Sequence, residues 1–488
     1  MKEGSAMHRL LWHKIGMIIV GIQLIILALL SVSIGRLHIL STPIFIGLLI
    51  IEIIYWTLMF SSQLVHNKLH YIMKVVTVFG IIISGILLFI VNRGSSTMNK
   101  ITGNNQETKV INIVALKENK ANVLEDLEDI NIGIVKDKNA DLINAMLSFM
   151  KDTIKKEIKT QEFQDYPTMV ESLYDHTIEA IAVDNAFVPV IEELHSTYQA
   201  DTKILYTYEY TTKVELEKES SVNKENEEKK EITERSFNVF LSGIDTSGSI
   251  DEVSRSDVNM IVTVNPVTKQ ILLSSTPRDY YVTTPVSGDM RDKLTHAGIY
   301  GIKTSVATLE ALYDIHIGYY AKVNFSGFEK MIDALGGIKV NSKSEFTSRN
   351  CHFNIGENEC DGEKALAFVR DRYSFTTGDL MRNQNQQAVV KGIIDKITTP
   401  SILLNINPIL DAATDCVITN MPQSDLMKLV NMQLEDRAKW TITTVGVSGT
   451  DGHEITFSNQ KQKSYVMYPD NKQVEKAANK MQEVYHAK

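Results

Sequence analysis

Residues 366–398 read LAFVRDRYSFTTGDLMRNQNQQAVVKGIIDKIT, a stretch whose arginines are spaced for work on an anion. Arg370 and Arg372 stand two apart, a spacing that shares a face in an extended segment but not in a helix. Gly378-Asp379 then opens an amphipathic helix, with an inward stripe predicted to run Arg382, Gln386, Val389, Ile393 and Ile397. Arg382 and Gln386 share that apolar face at the N-terminal end, where free N–H groups and the helix dipole already attract negative charge. The pattern describes a pocket for a strongly anionic group. The plainer alternative is a surface ion-pair network with a few buried bridges.

Further clusters of the same chemistry precede it. Asp245 follows a hydrophobic strand in SGIDTSGS, and Asp257 opens the next strand in SRSDVNM. Arg278 and Asp279 stand where the following hairpin ends, and Lys293 lies in RDKLTHA. Two carboxylates at strand ends suit a hard divalent cation such as Mg2+ or Mn2+. Guanidinium forks suit phosphate oxygens, which they bind two at a time. The sequence has no P-loop, no G-x-S-x-G elbow, no H-E-x-x-H helix and no closely spaced Cys/His metal set. An Asp/Arg site without a protein nucleophile favours direct phosphoryl transfer, in which metal and arginines stabilise charge and an acceptor hydroxyl attacks.

The elements that must position these residues fall into blocks. Residues 1–95 hold three apolar spans, roughly 15–34, 37–60 and 71–91, each near the ~20 residues that cross a bilayer. Lys2, Arg9 and Lys14 precede the first, and Lys68 and Lys74 lie at the boundary of the second and third. The positive-inside rule then puts the N-terminus in the cytoplasm and everything after Val91 outside. Glu52, inside the second span, is expected to be satisfied by a neighbouring helix. Residues 107–213 alternate strand-like and helix-like runs, as in a small α/β accessory domain. Residues 214–235 are so densely charged that they read as a solvated linker. Residues 236–488 form a larger α/β/α domain. A net charge of −9 and a pI near 5.8 make nucleic acid an unexpected partner. Cys351 and Cys360 flank a short loop and are candidates for a disulfide, whereas Cys416 reads as a small buried residue.

Asp245, Asp257 twelve residues on, Arg278 after a hairpin, R-D-R at 370–372 and G-D-x-x-R-x-x-x-Q at 378–386 together resemble the LytR–CpsA–Psr family. The resemblance covers residues 237–398, and ITNMP at 418–422 is similar to the C-terminal part of some members. The three spans and accessory domain resemble the longer, capsule-type members. The resemblance implies a mixed central sheet and a membrane enzyme that moves a glycopolymer from undecaprenyl pyrophosphate to a peptidoglycan sugar hydroxyl. It implies Asp245 and Asp257 as magnesium ligands, with Arg278, Arg370, Arg372 and Arg382 clamping the pyrophosphate and Gln386 and Lys293 assisting. Asp257 or Asp279 would act as acid/base, and the lipid tail would lie in an apolar groove. Partners in an envelope-biosynthesis complex are a further implication. Many members carry an arginine where this chain has Asn385, and the loop from Tyr280 to Lys293 is short beside some of them. A polyprenyl-pyrophosphate phosphatase and a non-catalytic sensor of the lipid-linked intermediate are the competing readings.

Overall fold

The computed structural model describes all residues except 1, 38–41, 65–68, 104, 124–125, 127–130, 136–139, 155–157, 217–229, 245–247, 372–373, 375–377 and 400–406. Asp245 and Arg372 therefore lie outside the described residues, as does Lys68.

Helices α1 (Lys2–Leu37), α2 (Thr42–Leu64) and α3 (Leu69–Ile101) contain three stretches long and apolar enough to cross a membrane. Where the helices meet, polar side chains answer one another. Gln23 Nε2 donates to Tyr55 Oη at 2.9 Å, Trp56 Nε1 to the Val20 carbonyl at 3.2 Å, and Ser31 Oγ to Glu52. Gly80 makes the first pair possible, because a Cβ there would stand 2.2 Å from Tyr55 Oη. α3 runs well past the bilayer edge expected near Val91. Its last turns bury Met98 and Ile101, and Gly103 N–H donates to the Met421 carbonyl at 3.0 Å. The third helix thus continues beyond its apolar span to a contact with the larger unit.

The accessory unit comprises β1 (Gln106–Leu116), β2 (Asn131–Val135), α4 (Ala140–Ile154), β3 (Lys159–Phe163), α5 (Tyr166–Tyr174), β4 (Ala180–Asp184), α6 (Val188–Glu192), α7 (Tyr198–Asp201) and β5 (Thr202–Lys213). Its sheet order is β3-β2-β4-β1-β5. Ile143, Met146 and Met150 of α4 cover one face; Met169, Val170 and Leu173 of α5 cover the other. Asp165 caps α5 by accepting from Thr168 N–H at 2.7 Å, and Pro167 presets the first turn. α5 buries Tyr166, Met169, Val170 and Leu173, one stripe at helical spacing, whereas β3 is exposed along most of its length.

The larger unit opens with β6 (Phe237–Ile244), β7 (Val258–Asn265), β8 (Gln270–Thr276), β9 (Tyr281–Thr283), β10 (Arg291–Lys293), α8 (Leu294–Ala297), α9 (Ile302–Tyr313), β11 (Tyr319–Asn324) and α10 (Phe325–Ala334). It continues through β12 (Ile338–Ser342), β13 (Phe346–Ser348), β14 (Cys351–Phe353), β15 (Gly356–Cys360), α11 (Gly362–Arg370), α12 (Gly378–Ile397) and α13 (Asn407–Ala413). β16 (Val417–Thr419), α14 (Gln423–Asp436), β17 (Thr441–Gly446), β18 (Gly449–Glu454), β19 (Ser464–Pro469) and α15 (Asn471–His486) complete it. The central six-stranded sheet, β16-β11-β6-β7-β8-β17, is mixed: β11 runs parallel to β6 and β17 to β8, and the other pairs are antiparallel. Residues after 400 supply both of its edges.

Alternation along the strands separates two cores. Phe240, Ile261 and Leu272 pack with Leu309 of α9 and Met481 of α15, all nearly or fully buried. Phe237 and Met260 face the opposite side, under α10, α11 and α12. On that side the middle of the sheet is incompletely covered. Val239, Leu241, Val262 and Val323 are neighbours across β6, β7 and β11, yet each is half-buried. Met331, Ile393, Ile394, Leu426 and Leu429 pack against the same cluster and are themselves half-buried. Central strand residues of an ordinary core are closed off; these leave a half-open apolar face on the sheet. Ile261, Leu272 and Leu309 belong to the closed face.

Cys351 and Cys360 are free thiols in the structure, on different hairpins, and burial pushes the Cys360 thiol up to about 11. Cys416 is fully buried against Gly327.

Candidate functional site

β6, β8 and β11 all point their C-terminal ends to one edge of the sheet, where antiparallel β7 begins. In open α/β sheets ligands bind at that edge. Asp257 sits there because its N–H donates to the Gly243 carbonyl at 2.8 Å, locking it beside the end of β6. A Cβ at Gly243 would stand 2.5 Å from Val258, so the close strand approach requires glycine. Asp245 follows β6 by one residue in sequence.

Arg278, just beyond β8, donates from Nη1 to Asp257 Oδ1 at 2.7 Å, and its Nε lies 3.4 Å from Asp279 Oδ2. The side chains of Arg278 and Asp257 keep 18% and 14% of their surface exposed, so the pair is enclosed but reachable. Burial pushes the Asp257 carboxyl up. Arg278, Arg255 and Arg382 together outweigh it and hold the group below the usual carboxylate range. Asp257 therefore stays ionised at neutral pH, as a metal ligand or base must. Because its folded value is depressed, its stabilising contribution is present above the unfolded value of about 3.9 and is lost as pH falls through the folded value. Asp257→Asn is expected to remove that acid-side component from the unfolding free energy measured against pH. An unchanged profile contradicts the ion pair.

Arg382 is 3% exposed on the first turns of α12, close enough to Asp257 to act on its ionisation. Arg370 is the last residue of α11, not part of an extended run as its two-residue spacing suggested. Its guanidinium lies 5.3 Å from the centre of the Phe325 ring, at the end of β11. That ring in turn reaches within 3.6 Å of where a Gly243 Cβ would be, so Arg370 belongs to the same edge. Arg255, which sequence reasoning passed over, joins the set; its only signal was its place two residues before Asp257.

The N-terminal half of α12 is buried more broadly than a single stripe. Arg382, Asn383, Asn385, Gln386 and Gln387 are all at most 5% exposed, whereas Ile393 and Ile397 are half-buried against the core. Asn385 donates from Nδ2 to the Phe368 carbonyl at 3.1 Å, bracing α12 to α11 just before Arg370. Gln387 Nε2 donates to the Val445 carbonyl at 2.6 Å and the Leu273 carbonyl at 3.3 Å, pinning α12 to β17 and β8. Gln387→Ala is expected to cost about 2 kcal/mol of stability in a denaturant titration, since buried carbonyls lose their donor. Gln386 Oε1 and Asn383 Nδ2 are buried without a hydrogen-bond partner, polar atoms available to something that enters.

Lys293 stands apart from this cluster in its contacts. It is 7% exposed, and its ammonium lies 3.1 Å from Glu193 Oε1 of the accessory unit. A hard cation needs ionised oxygen ligands, and Asp257 supplies one beside the strand that leads to Asp245. Among the described residues no group of three or more His, Cys, Asp or Glu is arranged around a metal position. A cation bound mainly through substrate phosphates needs only one or two carboxylates from the protein.

A model of the LytR_cpsA_psr family matches residues 198–483. A polyisoprenyl-teichoic acid–peptidoglycan teichoic acid transferase, TagU, of Enterococcus faecalis is 37% identical over 219 residues, 44% of this chain and 69% of that protein. The TagU of Bacillus cereus strain ATCC 14579 is 35% identical over 234 residues, 47% of this chain and 76% of that protein. The TagU of Oceanobacillus iheyensis is 32% identical over 219 residues, 43% of this chain and 67% of that protein.

Proposed function

The chain belongs to the LytR–CpsA–Psr family, and from that premise we propose that it is a membrane-anchored transferase moving a glycopolymer from an undecaprenyl pyrophosphate carrier to a peptidoglycan sugar hydroxyl. The observation that carries this reading is Arg278 paired with Asp257 at 2.7 Å, with Arg255 and Arg382 near enough to lower its carboxyl further, at the edge of a sheet whose apolar face is only half-buried. One ligand has both halves of that description: a pyrophosphate on a long isoprenoid tail.

Arg278, Arg370 and Arg382, with Arg372, bind the pyrophosphate oxygens and spread the charge that grows as the phosphoanhydride breaks. The half-buried face of Val239, Leu241, Val262 and Val323 takes the tail, gaining about 0.8 kcal/mol for each methylene withdrawn from water. Magnesium or manganese, when bound, would be held by Asp245 and Asp257 and would neutralise pyrophosphate charge. Asp257, with Asp279 close by on Arg278, receives the proton of the attacking hydroxyl. The N-terminus is cytoplasmic in this reading, with the site outside and α3 fixing its height above the bilayer.

Removing divalent cations with a chelator is expected to stop turnover of a lipid-linked polymer, and Mg2+ or Mn2+ to restore it. Turnover that persists after chelation removes the metal from the proposal. Consumption of the donor is expected to require peptidoglycan oligomers. Release of polymer phosphate at the same rate without them favours a phosphatase and overturns the transferase reading.

A further inference from the structure

The accessory unit meets the larger unit at several places, among them Glu107 with Ile302 N–H, Asn185 with Glu252 and Glu171 with Lys461; two further contacts lead toward the candidate site. On one side Thr108 of β1 bonds with the loop between β6 and β7, which also carries the aspartates. Its N–H donates to the Asp251 carbonyl at 3.0 Å, Val253 N–H donates to its carbonyl at 2.9 Å, and its Oγ1 donates to Asp251 Oδ2 at 2.7 Å. On the other side Glu193 holds Lys293 at 3.1 Å through Oε1 and accepts from Ser464 Oγ at 2.9 Å through Oε2. The Glu193 carbonyl also accepts from Gln462 Nε2 at 3.1 Å.

Lys293 begins a short latch. Its own N–H donates to Asp292 Oδ1 at 2.8 Å, and Asp292 is tied to His296 at 2.7 Å. Two residues on, Thr295 N–H donates to the Arg278 carbonyl at 2.8 Å, and its carbonyl accepts from Ser256 N–H at 3.3 Å. Thr295 is thus a backbone bridge between Arg278 and the residue before Asp257. The spacing of the site's central ion pair depends on where that bridge sits. Lys293 would be a natural ligand for phosphate, but here its ammonium is engaged by a carboxylate from another domain.

We propose that Glu193 of the accessory unit is a positioning residue for the transfer reaction, acting through Lys293 and Thr295 to set the Asp257–Arg278 pair, with Thr108 bracing the opposite side. The accessory unit is on this account a part of the active site's frame. The proposal rests on the reading that Asp257 and Arg278 act on a pyrophosphate.

The test uses the full-length protein in detergent, with turnover of a lipid-linked polymer followed as donor consumed, whether by transfer or by hydrolysis. In Glu193→Ala, kcat is expected to fall on the order of 10-fold, as small misplacements of reacting groups do. KM for the donor should stay within about 2-fold, because Arg370 and Arg382 still bind it. The charge swap Glu193→Lys with Lys293→Glu should recover most of the lost kcat, and Thr108→Val should lower kcat mildly. Thermal unfolding of each variant separates positioning from loss of fold. Unchanged kcat in a folded Glu193→Ala overturns the proposal, as does a fall in kcat that tracks loss of fold and is not recovered by the swap. A wild type that hydrolyses without transferring defeats the transferase reading and leaves this test intact. A wild type with no turnover defeats both.

Discussion

Arg278→Ala is expected to lower transfer by about 1,000-fold, because it removes a donor aimed at the charge that develops on the pyrophosphate. It also takes away the closest partner of Asp257, at 2.7 Å. Asp257 remains in its enclosed position, and with Arg278 gone burial pushes its carboxyl back up, against Arg255 and Arg382 alone. The variant therefore loses a clamp and disturbs the base it was holding. The measurement is steady-state turnover together with the pH profile of kcat/KM. The acid limb should move to higher pH in whatever activity remains, and conservative Arg278→Lys should recover little, since an ammonium lacks the guanidinium fork. Transfer within about 10-fold of wild type in Arg278→Ala contradicts its role on the pyrophosphate.

Leu241→Trp is expected to separate the lipid from its head group. Leu241 lies mid-strand on the half-open apolar face, half-buried, with Val262 and Val323 among its neighbours on the same face. An indole there occupies space that an isoprenoid would fill. Excluding about four methylenes costs about 3 kcal/mol, on the order of 100-fold in affinity. The dissociation constant of a long-chain polyprenyl pyrophosphate should rise by that factor. Inorganic pyrophosphate, which meets the arginines alone, should bind as before. Equal weakening of both ligands in a folded variant means that this face is not where the tail lies.

The residues that hold charge were largely readable from the sequence, and those that hold them in place were not. Asp257, Arg278, Arg370 and Arg382 declared themselves by type, by order and by their positions at strand and helix ends. The α/β architecture followed from alternating strands and helices, the mixed sheet from the family resemblance, and the three apolar spans from length and hydropathy. Periodicity misjudged α12, because the contacts that seat its first half are polar. Asn385 and Gln387 reach backbone carbonyls of Phe368, Leu273 and Val445, and no apolar stripe records such bonds. The same blindness applied to Lys293. Its type suggested a phosphate ligand, but its partner, Glu193, lies 100 residues away in another domain. Local sequence carries no signal for that contact. Asn385, the one departure from the family's usual arginine, has a structural occupation of its own, since it ties α12 to the carbonyl of Phe368 two residues before Arg370.

The central claim is that a sugar hydroxyl, not water, attacks the polymer phosphate held by these arginines. The direct measurement is the reaction of full-length protein with lipid-linked polymer, Mg2+ and peptidoglycan oligomers in water enriched in heavy oxygen, with the products read by mass spectrometry. A polymer joined to the oligomer through a phosphodiester that carries no heavy oxygen is the expected product. Polymer phosphate released free with one heavy oxygen incorporated would contradict the account.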